Sequence, residues 1–256
     1  MLIDTHAHLT YPGLTERIDE VLRNARREGV HRVITIGTRV TDARAALSLS
    51  RARADIVSCA AGFHPHEADK VSPEDFAAMQ ALWNEPDWVA FGEMGLDYHY
   101  DFANRDNQKR VLHWQLERCA PVDKPVIVHC REALDDVIPI LLKHGYEGRR
   151  VVFHCFTGTR AEVERIARHG WRISFTGIVT FANSKELQAI AKDYPAERLM
   201  VETDAPYLSP VPVRNVRPCE PAFVAHTARF LAELRGISFE NFVNTTTANA
   251  KAFFGL

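Results

Sequence analysis

The chain of 256 residues lacks several patterns that would place it in other classes of protein. Its five cysteines are odd in number and form no Cys-x-x-Cys pair, so neither a disulfide framework nor a zinc knuckle is indicated. No apolar run approaches the length that crosses a membrane, and the strand predicted from residue 2 leaves no room for a signal peptide. These absences predict a cytoplasmic protein without a membrane anchor.

A strong charge of either sign is also missing. Lys and Arg total 31 and Asp and Glu total 33, which gives a net charge of −2, and basic runs are no longer than pairs such as Arg26-Arg27. A nucleic acid would therefore have to be held by a local site rather than by a broad cationic surface. With 46% hydrophobic and 25% charged residues, the composition is otherwise that of an ordinary globular protein with a full core.

Predicted strands and helices alternate along the whole chain. A helix follows each strand, and turn or capping residues such as Gly29 and Ser72 mark the helix ends. This alternation predicts a parallel sheet, and eight such units in about this length predict one α/β domain, a (β/α)8 TIM barrel spanning residues 1–256. The predicted strands are residues 1–9, 32–37, 56–63, 88–97, 125–130, 150–156, 171–177 and 199–204.

A doubly wound open sheet is the competing architecture. It would normally carry a glycine-rich phosphate-binding turn after its first strand. In this chain that position holds His6-Ala7-His8. The barrel is therefore the favoured fold.

Residues that can bind a metal ion lie at or just beyond the carboxyl-terminal tips of most of the predicted strands. In a barrel of this type the carboxyl ends of the strands form the active site, so these side chains are expected to converge there. Several imidazoles and carboxylates brought together without a metal would be costly, and mixed nitrogen and oxygen donors suit zinc or manganese better than calcium. The candidates are His6, His8, His64, Glu93, His129, His154, Glu202 and Asp204.

Two cysteines directly follow histidines in this set. Because side chains alternate along a strand, Cys130 and Cys155 should turn toward the helices, where they are expected to be small buried hydrophobes. The same alternation predicts that Asp4 shares a face with His6 and His8.

The sequence motifs around these residues resemble those of the TatD family of metal-dependent deoxyribonucleases, within the larger class of amidohydrolase-like metallobarrels. A single motif is weak evidence for a family, but six motifs in the same order are specific, and they extend over the whole chain. The motifs are IDTHAH (3–8), GFHPH (62–66), GEMGLDY (92–98), PVIVHCRE (125–132), HCFTG (154–158) and ETDAPYL (202–208).

The resemblance implies a site for two divalent metal ions, zinc, manganese or magnesium. One ion would be bound by His6, His8, Glu93 and Asp204, and the other by Glu93, His129 and His154. Glu93 would bridge the two ions. Such a pair can activate a water molecule and clamp a phosphodiester, with Asp204 as the base that accepts the proton of that water.

Substrate contacts are expected from the same end of the barrel. Arg131 could bind a phosphate bidentately, although an ion pair with a neighbouring acid is an equal alternative. His64 could position the phosphate or serve a further metal. Tyr98 and Phe181 could stack on bases, although an aromatic residue in a barrel loop is more often a packing residue. The loop at 214–221 departs from the family pattern, which often has Arg-Gly-Lys followed by Asn.

The implied activity is phosphodiester hydrolysis of DNA by a deoxyribonuclease, as a 3′→5′ exonuclease acting on single strands or 3′ ends. One alternative is ester hydrolysis that removes D-amino acids from mischarged tRNA. Another is small-molecule amide or phosphotriester hydrolysis, but enzymes of that kind often bridge their metals with a carboxylated lysine where this chain has Glu93. A degenerate barrel serving only as a binding scaffold would be expected to lack ligands, and none is missing from the sequence.

Overall fold

The computed structural model describes residues 1–100 and 102–256. Eight parallel strands form one sheet in sequence order, β1 to β8, so each strand pairs with the next one along the chain. The ring closes where Ala7 bridges Ala205 and the His8 amide donates a hydrogen bond of 2.7 Å to the Ala205 carbonyl. The strands are Leu2–Ala7, Val30–Gly37, Val57–Ala61, Trp88–Asp97, Val126–Arg131, Val151–Phe153, Arg172–Phe175 and Leu199–Val201. The predicted (β/α)8 barrel is confirmed.

Helices alternate with the strands and form the outer layer. The α-helices, α1 to α9, are Ile18–Arg27, Val40–Ala52, Pro73–Trp83, Arg105–Cys119, Leu134–Lys143, Arg160–Arg168, Lys185–Asp193, Val224–Arg235 and Phe239–Phe254. Ser72 and Thr159 cap α3 and α6 through reciprocal capping boxes. Within the described ranges, no helix has both the length and the apolar character needed to cross a membrane. A cytoplasmic location stays a prediction.

Buried side chains fill the barrel below its upper rim. Residues from β1 to β6 and β8, among them Ile34, Ile127 and Met200, form one cluster with Phe253 and Phe254 of α9. A larger cluster lies between the sheet and the surrounding helices. The carboxyl ends of the strands therefore stand on a packed core, which gives the candidate site a rigid base.

Five strands end earlier than the sequence predicts, and the differences are largest, three residues each, in β6 and β8. β6 stops at Phe153 rather than at 156, and β8 stops at Val201 rather than at 204. Just beyond these ends the backbone enters the left-handed region, with φ of 46° at Cys155 and 57° at Asp204. The candidate residues His154 and Asp204 therefore lie in the turns that follow the strands. There the backbone can adopt a left-handed conformation that is incompatible with strand pairing.

Strand β4 approaches β5 unusually closely, and glycines permit this approach. A Cβ atom at Gly95 would lie 1.8 Å from the His129 carbonyl oxygen, and one at Gly92 would lie 2.4 Å from that of Ile127. Both glycines have positive φ, 120° at Gly92 and 155° at Gly95. The glycines around Glu93 thus permit the close packing of β4 against β5.

Candidate metal centre

Glu93 lies at the middle of the carboxyl-end rim, on β4, and its side chain is only 2% exposed. One carboxylate oxygen, Oε1, lies 2.8 Å from His129 Nδ1 and 2.6 Å from His154 Nε2. The other, Oε2, lies 3.3 Å from His6 Nε2 and 3.9 Å from His8 Nε2. Each oxygen of one carboxylate therefore faces a different pair of histidines.

The imidazoles keep this buried carboxylate ionised. Burial alone would raise the pKa of Glu93, but the facing rings of His154 and His64 and the hydrogen bonds from His129 and His154 hold the pKa well below its usual value. A charged carboxylate at the bottom of a buried ring of imidazoles is a strong donor for a cation.

The first pair of histidines lies at the junction of β1 and β8, together with Asp204. Asp204 Oδ1 is 3.4 Å from His8 Nε2 and 3.7 Å from His6 Nε2. The Asp204 amide donates to the His6 carbonyl at 2.9 Å, so this turn is fixed against the first strand. Burial would raise the pKa of Asp204, but the hydrogen bond with His8 and the nearby imidazoles lower it. Its carboxylate is therefore ionised.

The second pair lies on β5 and beyond β6, and each of its histidines has a second carboxylate behind it. Asp97 Oδ2 lies 2.9 Å from His129 Nε2, on the side of the ring opposite Glu93. Glu202 Oε1 lies 3.4 Å from His154 Nδ1. Imidazoles that bind metals commonly have such an outer partner, which fixes the tautomer and the ring orientation.

The carboxylate of Glu202 is already engaged in hydrogen bonds with neighbouring residues. Its carboxylate accepts hydrogen bonds from the Cys155 amide at 2.6 Å and from Ser174 Oγ at 2.7 Å, and it is 1% exposed. The side chain of Asp204, in contrast, is 15% exposed. Of the two acids that follow β8, only Asp204 is thus open to the rim.

Among the described residues, several buried nitrogens in this cluster make no hydrogen bond. They are both ring nitrogens of His6 and Nδ1 of His154, which has only its 3.4 Å contact with Glu202. The rings of His6 and His154 are stacked with centroids 3.9 Å apart. An unpaired buried polar atom costs roughly 1–3 kcal/mol, so the arrangement is unfavourable for the protein alone. The donors group as His6, His8 and Glu93, as Glu93, His129 and His154, and as His6, His154 and Glu202. Divalent metal ions fit this donor set.

His64 and His66 extend the cluster beyond the centre, where they form a further group with His129. His64 Nδ1 accepts a hydrogen bond from the His66 amide at 3.1 Å, which leaves Nε2 to carry the proton of the neutral ring. That Nε2 lies 3.3 Å from Glu93 Oε1. Burial lowers the pKa of His64 to about 4, so the ring is a neutral N–H donor at the edge of the centre.

His66 and Asp97 were missed by the sequence analysis. His66 Nε2 lies 3.0 Å from Asp97 Oδ2, the same oxygen that faces His129. Both residues occur in the motifs that resemble the TatD family, and Asp97 is four residues after Glu93 on the same strand. Strand alternation would have placed Asp97 on the face of Glu93, and that was the available signal.

Asp4 does not join the donors, although it precedes them on the same strand. Its carboxylate accepts hydrogen bonds from the Thr203 amide at 2.9 Å and from Thr203 Oγ1 at 2.6 Å. Asp4 is completely buried. It therefore fixes the turn between Glu202 and Asp204 from below.

Cys130 and Cys155 are partly buried rather than fully buried. Cys130 packs against the larger apolar cluster, as expected. Cys155 Sγ instead lies 3.5 Å from Thr176 Oγ1, so its surroundings are more polar than the sequence predicts.

The expected substrate contacts differ in their surroundings. Arg131 ends β5, and its guanidinium makes no ion pair with residues 1–100 or 102–256. Tyr98 donates a hydrogen bond of 2.5 Å to Asp136, and the Arg105 guanidinium lies 4.3 Å from its ring centroid. The Arg214 guanidinium, from the atypical loop, lies 4.2 Å from the ring centroid of Phe181. Arg131 is therefore the candidate without an ion pair among the described residues, and a stacking role for Tyr98 or Phe181 stays a prediction that these contacts do not favour.

An eight-stranded (β/α)8 barrel whose rim carries imidazoles around a shared, ionised carboxylate defines a class of protein, the metal-dependent hydrolases. A family model described as TatD related DNase matches residues 3–255. The chain belongs to the TatD family, and is a metal-dependent hydrolase that acts on ester bonds.

Relatives of known sequence or structure are similar over their full length. The chain is 38% identical to the uncharacterized metal-dependent hydrolase YabD of Bacillus subtilis, with 99% of each chain covered. It is 36% identical to the 3′-5′ ssDNA/RNA exonuclease TatD of Erwinia amylovora, with 100% of each covered. The crystal structure of YJJV, a TatD homologue from Escherichia coli K12, superimposes with a TM-score of 0.93 at 26% identity, covering 100% of this chain and 98% of that one.

Proposed function

We propose that this chain hydrolyses phosphodiester bonds in DNA, as a 3′→5′ exonuclease on single strands, with two divalent metal ions bound at the candidate centre. The observation that carries the proposal is the position of Glu93, whose two oxygens face the His6/His8 pair and the His129/His154 pair separately. The names of relatives such as the ssDNA/RNA exonuclease of Erwinia amylovora support a nucleic acid as the substrate.

Each residue of the centre would have a distinct task. Two divalent ions, when bound, would stabilise charge on the phosphate oxygens and lower the pKa of the attacking water. Asp204, ionised and open to the rim, would accept the proton of that water. His64, held as an Nε2–H donor, would bind a non-bridging phosphate oxygen.

A D-aminoacyl ester of tRNA is an alternative substrate that would fit the same metal donors. Hydrolysis of a D-aminoacyl ester on tRNA needs the same water and the same base, so the centre alone does not separate it from phosphodiester hydrolysis. An assay of one metal-reconstituted preparation on single-stranded DNA, duplex DNA, RNA and D-aminoacyl-tRNA tests the proposal. We expect single-stranded DNA to be shortened from its 3′ end, and deacylation without nuclease activity would contradict it.

We expect hydrolysis to depend fully on a divalent ion, because the described residues of the centre are metal donors rather than a nucleophile paired with a base. Chelation should abolish turnover, and adding manganese, magnesium or zinc to the metal-free protein should restore it. Elemental analysis of the chelated sample is the control. Full activity in a sample shown to be free of metal would rule out the proposed mechanism.

Arg131→Ala should weaken the binding of single-stranded DNA and flatten its dependence on salt. If the guanidinium neutralises one phosphate, the slope of log affinity against log salt should fall by about one unit. Fluorescence anisotropy over a range of salt concentrations measures this slope. Arg165→Ala, at an exposed arginine paired with Asp135, is the matched control. An unchanged slope for Arg131→Ala would show that the residue does not contact a phosphate.

A further inference from the structure

Exposed aromatic rings are concentrated at the rim of the candidate centre. Among the described residues, five aromatic side chains are exposed, and four of them lie in loops that follow β1, β4 and β8. Exposing such large apolar surface costs free energy in water, so a cluster of this kind marks a binding surface. The four are Tyr11, Tyr100, Phe102 and Tyr207.

These four rings form two pairs. Tyr100 and Phe102, 45% and 63% exposed, are stacked with an interplanar angle of 10° and centroids 5.3 Å apart. Tyr11 and Tyr207, 46% and 45% exposed, meet edge to face with centroids 5.7 Å apart. Within each pair, one ring packs against the other, so the contact orients both rings in the absence of a ligand.

Both pairs adjoin the metal-binding cluster, but on different sides of it. The Phe102 ring centroid is 4.8 Å from that of His66, and the Tyr207 centroid is 6.4 Å from that of His8. In a ring of eight strands, β4 lies opposite β8, and β1 is the neighbour of β8. The two aromatic pairs therefore stand across the centre from each other.

We infer that these pairs are two base-stacking platforms that hold the nucleotides on either side of the reacting phosphate. This inference rests on the proposed function and names its substrate class: single-stranded nucleic acid with accessible base faces. In a duplex the bases are stacked on one another, so two separated platforms favour an unpaired strand. Stacking accepts any base, so the recognition is tolerant of sequence.

Local platforms also account for the lack of a cationic surface. With a net charge of −2, the chain has no broad field that would hold the backbone of a long nucleic acid. Stacking of one or two bases on each side would instead supply affinity at the centre itself. Such a contact depends little on salt compared with a phosphate contact, and this distinguishes it from the role expected of Arg131.

The test compares two ligands that differ only in their bases. Hexathymidylate and an abasic hexamer of the same length, both with phosphorothioate linkages that resist cleavage, are bound to the metal-reconstituted protein and measured by anisotropy. We expect the wild type to bind hexathymidylate more tightly than the abasic chain by about 5- to 150-fold for each stacked base. Phe102→Leu and Tyr207→Leu should each reduce this ratio, whereas Phe102→Tyr and Tyr207→Phe, which keep a ring, should preserve it.

Phe239→Leu is the matched control, because Phe239 is the fifth exposed aromatic and begins α9, away from the rim loops. It should leave the ratio unchanged. A ratio that is equal in the wild type and the two leucine variants would overturn the inference, and so would a fall in solution mass on Phe102→Leu that shows the pairs to join copies of this chain.

Cleavage of unmodified hexathymidylate, measured in parallel, separates this inference from the proposed function. Binding that depends on the bases without cleavage would support the platforms and defeat the nuclease. Cleavage with no dependence on the bases would support the nuclease and defeat the platforms. Absence of both binding and cleavage would defeat both.

Discussion

Replacing Glu93 with glutamine is expected to give a folded, metal-poor and inactive protein. The carboxylate faces both histidine pairs, at 2.6 Å from His154 and 3.3 Å from His6. Glutamine keeps the size but has no charge and one good donor oxygen, so both proposed ion sites should weaken together. Loss of an outer partner typically lowers metal affinity about 10- to 100-fold, and loss of this shared donor should exceed that range. Metal content, circular dichroism and nuclease rate should be measured on one sample.

The matched control is Glu132→Gln, the same change at an exposed acid on the same end of the barrel. It should retain metal and activity. The fold of the Glu93→Gln protein should survive because the packed barrel core lies below the rim. Two retained metal ions per chain with normal activity would refute the bridging role, and an unfolded protein would show that Glu93 is chiefly structural.

Asp204→Asn should lower kcat far more than it changes KM. The amide can still coordinate weakly through its oxygen, but it cannot accept the proton of the attacking water. Loss of a general base typically costs about 10²- to 10⁴-fold. Steady-state rates on single-stranded DNA at saturating metal measure the effect, and saturation keeps a weaker ion site from imitating the loss of the base.

Asp135→Asn, at a highly exposed aspartate at the start of α5, controls for the change of charge. A kcat for Asp204→Asn within severalfold of the wild type would assign the proton to another group. Glu202 is a poor substitute, because its oxygens already accept hydrogen bonds from Ser174 and from the Cys155 amide.

Much of this site could be predicted because its donors are tied to strand ends. Once strands and helices alternate eight times, a residue at the carboxyl end of a strand is placed at the rim, and His6, Glu93 and His129 all gather there. The identity of neighbouring strands also follows from chain order, since β5 pairs with β6 and β1 meets β8. The grouping of donors into two halves around Glu93 is therefore largely a consequence of topology.

What could not be predicted depends on local backbone geometry. Asp204 and Glu202 are two residues apart after one strand, and only the left-handed turn at Asp204 turns one acid to the rim and leaves the other beneath His154. The paired contacts of Asp97 with His129 and His66 likewise require three elements in register. The exposure of Tyr100 and Phe102 could not be predicted, because an aromatic residue in a loop is usually a packing residue and no sequence pattern indicates otherwise.

The proposed role of Glu93, a carboxylate shared by two metal sites, is tested most directly by one measurement. Crystals grown with manganese should give two anomalous difference peaks, each at ligand distance from a different oxygen of Glu93. One peak should lie beside His6, His8 and Asp204, and the other beside His129 and His154. A single peak, or two peaks that do not both contact Glu93, would contradict the account.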